Sequence, residues 1–334
     1  MQLRRLTSAK IKRKIWGTLL PHLRKSGMSF YAYKSYWHYR LSGSRPNYNN
    51  ENLKFLTGTP NPGAGIGHQL ANWIAGYWFA AYFKISYAYS AFPSETWDSF
   101  LSFGKDEVNS DKLLLKGYQK VLIPLFNEDN KDEVNLIKKI ISSYKSKKVI
   151  FFLEQDQFHK DLHKVGDLIK KKFHTGDARK NNKLMYSPDN FNIAVHIRRG
   201  DIITHGKTFS SRKQENSYFL KIVSDIKTYL KTEKPKVFHL FSDGEESDFE
   251  EFRTMTDFKF CLSSNAKESF LHMAFADLLV TSKSSFSYKP ALLNHGLKIC
   301  PRNFWHGYPA TNDFLLADDF GELDINGLIN YSQK

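Results

Sequence analysis

His196-Ile197-Arg198-Arg199-Gly200-Asp201 puts an imidazole, two guanidiniums and a carboxylate within six residues of a 334-residue chain. The residues ahead of them, "FNIAV", are apolar or small, so the segment reads as a buried strand that ends in a charged turn. A guanidinium is a planar fork that donates two parallel hydrogen bonds, which suits the paired oxygens of a phosphoryl group. Two of them at a strand end point to a diphosphate. The competing reading is a pair of surface arginines neutralised by Asp201. A second feature, Thr281-Ser282-Lys283-Ser284-Ser285-Phe286-Ser287, follows the apolar run "DLLV" where a helix begins. Amide groups at a helix start, with serine hydroxyls beside them, attract anions; ordinary capping by Ser284 or Ser285 is the plainer alternative. A third, Phe241-Ser242-Asp243-Gly244, places a carboxylate just past another strand, where acids accept from ribose hydroxyls or base edges.

The elements that must hold these residues can be traced in the same way. A glycine-rich turn, "PNPGAGIG", precedes a helix from His68 to about Lys84, and "ISYAYS" has strand character. A strand near "KVLIPLF", a helix from Asp132 to Ser146, the run "KKVIFFLE" and a helix near His159–Phe173 follow. "GDARKNNKLMYSPDN" is rich in turn formers and reads as a linker. Beyond it come the strand "FNIAVHIR", a helix near Asn216–Lys231, "KVFHLFSD", a short acidic helix, "FKFCLS", "KESFLHMAFA", "DLLVTS", "SFSYKPALLN" and "LKIC". Strands alternating with helices predict an α/β fold with parallel sheets covered on both faces. The expected organisation is a basic N-terminal arm over 1–57, a first Rossmann-like doubly wound domain over 58–185, and a second over 186–334 with a C-terminal tail. Ligands of such folds lie at the carboxyl ends of the strands, where all three features fall.

Composition narrows the classes. Hydrophobic residues are 41% and charged residues 25% of the chain, with 27 Phe, 17 Tyr and 6 Trp, which excludes disordered and fibrous proteins. The net charge of +15 is local: residues 1–50 hold 11 Lys and Arg and no acid before Glu51, leaving 38 basic against 34 acidic residues elsewhere. The excess belongs to the arm, which would attract RNA or an anionic membrane. Within it, "KIKRKIWGTLLPHLRK" spaces Ile11, Ile15, Trp16, Leu19, Leu20 and Leu23 as a modest helical stripe that Pro21 limits, so a peripheral contact with anionic membrane through residues 1–45 is expected. A helix packed on the body is the alternative. No run of about 18 apolar residues occurs, and the start does not read as a signal peptide. Cys261 and Cys300 form no metal-ligand pattern, and a single bridge between them stays open. A cytosol-facing location is expected. The aromatic run "NWIAGYWFAAYF" reads as core packing ahead of a sugar-stacking surface. The 204–214 loop, with Lys207, Arg212 and Lys213, is either a flap or a solvated loop.

Taken together, "HIRRGD", "LFSDGEES" and "LLVTSKSSFSYKPALL", in that order, resemble the α-1,2-fucosyltransferases (glycosyltransferase family 11) and the wider group of fucosyltransferases with a His-x-Arg-Arg-Gly-Asp signature. "PGAGIGHQLANWIAGYWFAAYF" is similar to the glycine loop and aromatic helix that open the family's first half, with His68 where asparagine is usual. "SYKP" stands where Ser-Trp-Trp is usual. The resemblance spans roughly residues 58–300. It implies a GT-B-type pair of Rossmann-like domains facing across a cleft and an inverting enzyme that moves fucose from GDP-fucose to a glycan hydroxyl, forming an α-1,2 linkage in surface polysaccharide or lipopolysaccharide. It implies further that Arg198 stabilises the leaving pyrophosphate, that His196, Arg199, Gly200 and Asp201 shape its pocket, that Asp243 serves the nucleoside, and that Ser284, Ser285 and Ser287 serve the phosphates. No cofactor and no divalent metal are expected; the chain has no Asp-x-Asp triplet. For the general base that an inverting displacement needs, His68 ranks first, Asp201 second and His205 third. The alternatives are a fucosyltransferase of another linkage, a transferase of another GDP-sugar, or a non-catalytic RNA- or membrane-binding protein.

Overall fold

The computed structural model describes residues 8–25, 28–42, 54–145, 148–154, 157, 165–200 and 212–332, without the side chains of 8–14 and 21. Asp201, His205 and Lys207 therefore lie outside the described residues. The chain divides into two units. Unit 1 is Met1–Asn61, Ala71–Ala91 and Asp106–His159; unit 2 is Pro62–Leu70, Phe92–Lys105 and Lys160–Lys334. The 185/186 boundary expected from sequence thus lies inside unit 2, which also takes the glycine turn from the first half.

Unit 1 carries a four-stranded parallel sheet in the order β2-β1-β4-β3, from β1 (Lys54–Gly58), β2 (Ser86–Tyr87), β3 (Gln119–Leu122) and β4 (Val149–Leu153). Its helices are α1 (Ser8–Lys25), α2 (Lys34–Leu41), α5 (Ser110–Leu115) and α6 (Lys131–Ser143), with α3 (Ile66–Tyr82) beginning in unit 2 and α4 (Glu95–Leu101) wholly in unit 2. Every residue of β4 is buried, as a strand paired on both edges requires. α6 places Val134, Ile137, Ile140 and Ile141 on one face at helical spacing, and Asn130 caps it by accepting from the Asp132 and Glu133 amides. Trp73 and Phe79 of α3 are fully buried and Trp78 nearly so, which makes the aromatic run core.

The expected 1–57 arm is not separate from this unit. It contains four of the five residues of β1, which pairs with both β2 and β4. α1 is also docked. Leu20 packs with Tyr33 and Leu125, the Trp16 indole donates to Glu154 Oε1 at 3.1 Å, and the Tyr33 hydroxyl donates to the same oxygen at 2.8 Å. Burial and the neighbouring Glu154 carboxylate push the Tyr33 phenol far above its ordinary range, so it stays a donor.

Unit 2 carries a six-stranded sheet, parallel throughout, built from β5 (Phe191–Ile197), β6 (Lys236–Ser242), β7 (Phe258–Phe260), β8 (Leu278–Val280), β9 (Leu297–Pro301) and β10 (Phe314–Ala317). The order β7-β6-β5-β8-β9-β10 is the 3-2-1-4-5-6 arrangement of a dinucleotide-binding fold. Its helices are α7 (Gly166–Thr175), α8 (Asn216–Tyr229), α9 (Glu250–Arg253), α10 (Ala266–Phe275), α11 (Ser285–Leu293) and α12 (Ile325–Tyr331). Alternate residues of β5 feed opposite layers: Ile193, Val195 and Ile197 pack with α8, α9 and α12, while Ala194 packs with Met273 of α10 and Ala291 of α11. Both faces are therefore covered. The winding reverses between β5 and β8, and such a reversal opens a crevice at the carboxyl ends of the strands. Cys261 and Cys300 are buried free thiols, so the bridge left open by the sequence is not formed.

Candidate functional site

A cavity of ≈ 400 Å³ opens at that reversal, wholly within unit 2. β5 contributes His196 and, just past its end, Arg198; β6 contributes Phe241 and Ser242, followed by Asp243. The loop into α10 adds Leu262 and Ser264, α10 itself adds Ala266 and Ser269, the start of α11 adds Ser284, Ser285 and Phe286, and the turn into α3 adds Gly65, Ile66 and Gly67. Four segments that the sequence singled out separately thus converge on one space.

His196 is buried, and its Nδ1 hydrogen-bonds Ser282 Oγ at 2.8 Å, tying the end of β5 to the turn after β8. Burial pulls its pKa down to about 4, with Arg198 pushing the same way against Asp243. The ring is therefore neutral near pH 7 and adds no charge beside Arg198. Arg198 itself is half-buried.

Arg199 is turned to a different task. Its buried Nη1 donates to the carbonyls of Arg198 and Gln214 at 3.0 Å each, its Nη2 donates to Asn216 Oδ1, and the group lies over the Phe249 ring at 5.7 Å. It does not line the cavity. Instead it braces the turn that presents Arg198. Gln214 extends the brace: its Oε1 accepts from the Lys283 amide at 2.7 Å, linking the turn after β5 to the turn before α11.

Asp243 holds the same turn from the other side, with Oδ1 accepting from the Arg199 amide at 2.7 Å. A Cβ on Gly200 would sit 2.7 Å from Asp243 Oδ2, so the signature glycine is what lets the carboxylate close on the turn. Asp243 is exposed and lines the cavity as well. Ser284 is the N-cap of α11, its side chain accepting from the Phe286 amide at 3.2 Å. This is the capping reading, and it is compatible with the anion reading because the cap orients the positive end of the α11 dipole toward the cavity. Ser287 is fully buried and donates back to Ser282 and Ser284 carbonyls, outside the cavity lining. A Cβ on Gly67 would lie 2.5 Å from the Ser285 carbonyl oxygen, so the glycine turn seats directly against the start of α11.

His68 is half-buried in the first turn of α3, next to Gly67 but not among the cavity-lining residues. Ser282 and Gln214 are structural partners that the sequence did not single out for a role, and Ser264 and Ser269 are further hydroxyls on the cavity wall. Among the described residues no group of three or more His, Cys, Asp or Glu is placed to hold a metal ion. Of the loop flagged by its cations, Arg212 stacks over Trp305 at 4.5 Å and Lys213 pairs with Glu215 at 2.9 Å.

No family model matches the chain, and no curated protein matches it in sequence. Among solved structures it is similar to POFUT1 in its apo form, with 13% identity over 74% of this chain and 96% of that one and a TM-score of 0.46. It is similar also to POFUT1 in complex with GDP-fucose, with 11% identity, 76% and 97% coverage and a TM-score of 0.41. A third similar structure, NodZ alpha-1,6-fucosyltransferase co-crystallized with GDP, has 10% identity, 81% and 97% coverage and a TM-score of 0.39. At these identities and scores the likenesses carry no chemistry across, and the functional reading stands on the chain's own site.

Proposed function

We propose that this protein is an inverting, GDP-fucose-dependent fucosyltransferase acting on a glycan hydroxyl. The observation that carries the reading is the meeting of Arg198 with the start of α11 in one cavity at the reversal point of a dinucleotide-type sheet. The diphosphate would lie between the Arg198 guanidinium and the amide end of α11. The base would rest against Phe241, Leu262 and Ala266, with Asp243 on the ribose side, and the sugar would reach toward the 65–67 turn.

In the reaction, the acceptor oxygen forms a bond to the anomeric carbon as the bond from that carbon to the phosphate oxygen breaks. The electron pair leaves with GDP, and the acceptor proton passes to a base. Charge develops on the departing phosphate, where Arg198 and the helix dipole stabilise it more strongly than in the ground state. These groups supply the positive potential, so no divalent cation is required. His68 remains the first candidate for the base, being beside the turn that the sugar approaches; Asp201 is the second. An α-1,2 linkage in a surface polysaccharide or lipopolysaccharide is the acceptor reading that the motif resemblance favours, and a cytosol-facing location accompanies it.

A donor screen tests this reading: the protein is incubated with GDP-fucose, GDP-mannose, UDP-sugars and CMP-sugars in EDTA, and released nucleotide is measured. GDP release from GDP-fucose is expected. Turnover of a UDP- or CMP-sugar alone, or activity lost in EDTA and restored by manganese, would contradict it.

A further inference from the structure

Sixteen large apolar side chains are exposed among the described residues, and six of them, Ile15, Leu19, Met28, Tyr31, Trp37 and Leu41, fall between residues 15 and 41. The same segment has a well-packed inner side. On α1 the two sides separate cleanly. Trp16 and Leu20 face the body through Glu154, Tyr33 and Leu125, whereas Ile15 is 60% and Leu19 46% exposed. Ile15 and Leu19 are four residues apart and so share one helical face, about 100° round the helix from the docked Trp16 and Leu20. On α2 and the turn before it, Tyr31, Tyr36 and Trp37 form a mutually packed triangle with centroid distances of 5.1, 6.0 and 5.6 Å. The Trp37 indole donates to the Tyr31 carbonyl at 2.8 Å, which fixes the half-exposed ring in place.

Within residues 1–50 the charge has one sign. Arg24, Lys25, Lys34 and Arg40 are exposed, and no acid occurs in the first 50 residues. A second copy of the same surface would bring like charges together. A nucleic acid would use the cations and the aromatic rings but has no use for Ile15, Leu19 and Leu41. An anionic bilayer uses all three classes: aliphatic side chains enter the acyl boundary, amphipathic rings settle at head-group level, and cations meet the lipid phosphates.

We propose that the outer face of α1, together with the Tyr31–Trp37 aromatic patch, docks the protein on an anionic lipid surface. The proposal is independent of the transferase reading, since every residue in it belongs to unit 1 and none lines the cavity. It differs from a simple basic tether in requiring the folded element: the docked side of α1 is what turns Ile15 and Leu19 outward.

The test is vesicle co-sedimentation of the full chain, using phosphatidylcholine alone or mixed with phosphatidylglycerol, at low and high salt. Three proteins are compared: wild type, Ile15→Ser with Leu19→Ser, and the Arg24, Lys25, Lys34 and Arg40→Gln quadruple variant. Thermal melts confirm that each is folded, and all replaced side chains are exposed. The wild type should prefer the anionic vesicles, and salt should weaken binding. With each cation contributing roughly fivefold, the quadruple variant should bind roughly 600-fold more weakly. The Ile15/Leu19 variant should bind at least about tenfold more weakly and should lose the salt-resistant part. Equal binding to neutral and anionic vesicles, or unchanged binding by both variants, would overturn the proposal. So would RNA capture that needs the four cations but not Ile15 and Leu19, with no vesicle binding.

Discussion

At the scale of single residues, two adjacent arginines have different surroundings and should fail differently. Arg198 lines the cavity, and its replacement by Lys keeps a charge but loses the fork. Turnover should fall about 10²- to 10³-fold, the usual cost of one transition-state donor, with the melting temperature unchanged. Arg199→Ala should instead unfold at lower temperature, because it strands the buried Gln214 carbonyl, at about 1–3 kcal/mol, and removes a partner from the half-buried Arg198 carbonyl and Asn216 side chain. Thermal melts and steady-state kinetics on both variants separate the roles; a stable, inactive Arg199→Ala protein would mean that this side chain meets the donor directly. Lys289 offers a third check. It is fully buried with no hydrogen-bond partner for its Nζ among the described residues, and burial lowers its pKa from 10.5 to about 7. A depressed lysine destabilises the fold increasingly as pH falls below 10.5, because the unfolded chain takes up a proton that the folded one resists. That cost is complete below about pH 7 and vanishes above 10.5. Lys289→Met should therefore raise the melting temperature, and by more at pH 6.5 than at pH 9.5.

At the scale of elements, the site depends on one close approach. Gly67→Ala would drive a methyl group to 2.5 Å from the Ser285 carbonyl oxygen, so the start of α11 must shift or the turn into α3 must withdraw. Nucleotide binding should weaken by tenfold or more while the cores of both units persist, which calorimetry with GDP and a thermal melt would show together. Normal GDP affinity in this variant would mean that the turn and the helix start are not coupled. Much of this element layer was legible beforehand. β5 is legible because every apolar residue after Phe191 is buried between two helical layers, and the α11 start because serine is both a cap and a turn former. β1 was lost inside the basic arm: Lys54–Gly58 is five residues long, and its burial comes from partners about 30 and 95 residues away. β10 falls within the expected tail because it is a short, half-buried edge strand. Gln214 has no local signal, and Ser282 none beyond its place in the serine run, since their bonds reach 69 and 86 residues along the chain. The assignment of 62–70 to unit 2 is likewise a tertiary fact; in sequence the turn belongs to the helix it opens.

At the scale of the whole molecule, stability and ligand binding both follow from how unit 2 is built. His196 and His239 are buried, and burial lowers each from 6.5 to about 4. Both are neutral in the fold, so the unfolded chain takes up protons first as pH drops. Their contribution is complete above pH 6.5 and is lost progressively toward pH 4. Melting temperature should decline over that window, before the carboxylates titrate, and His239→Gln should make the decline shallower; a flat profile from pH 7 to 5 would speak against buried neutral histidines. The central claim concerns the cavity. Its most direct test is thermal stabilisation by free nucleotides, compared between wild type and Arg198→Ala. GDP at about 100 times its dissociation constant should stabilise the wild type by about 2.7 kcal/mol, UDP and CMP much less, and Arg198→Ala should lose most of the GDP effect. No stabilisation by GDP, or the same shift in wild type and variant, would contradict the account.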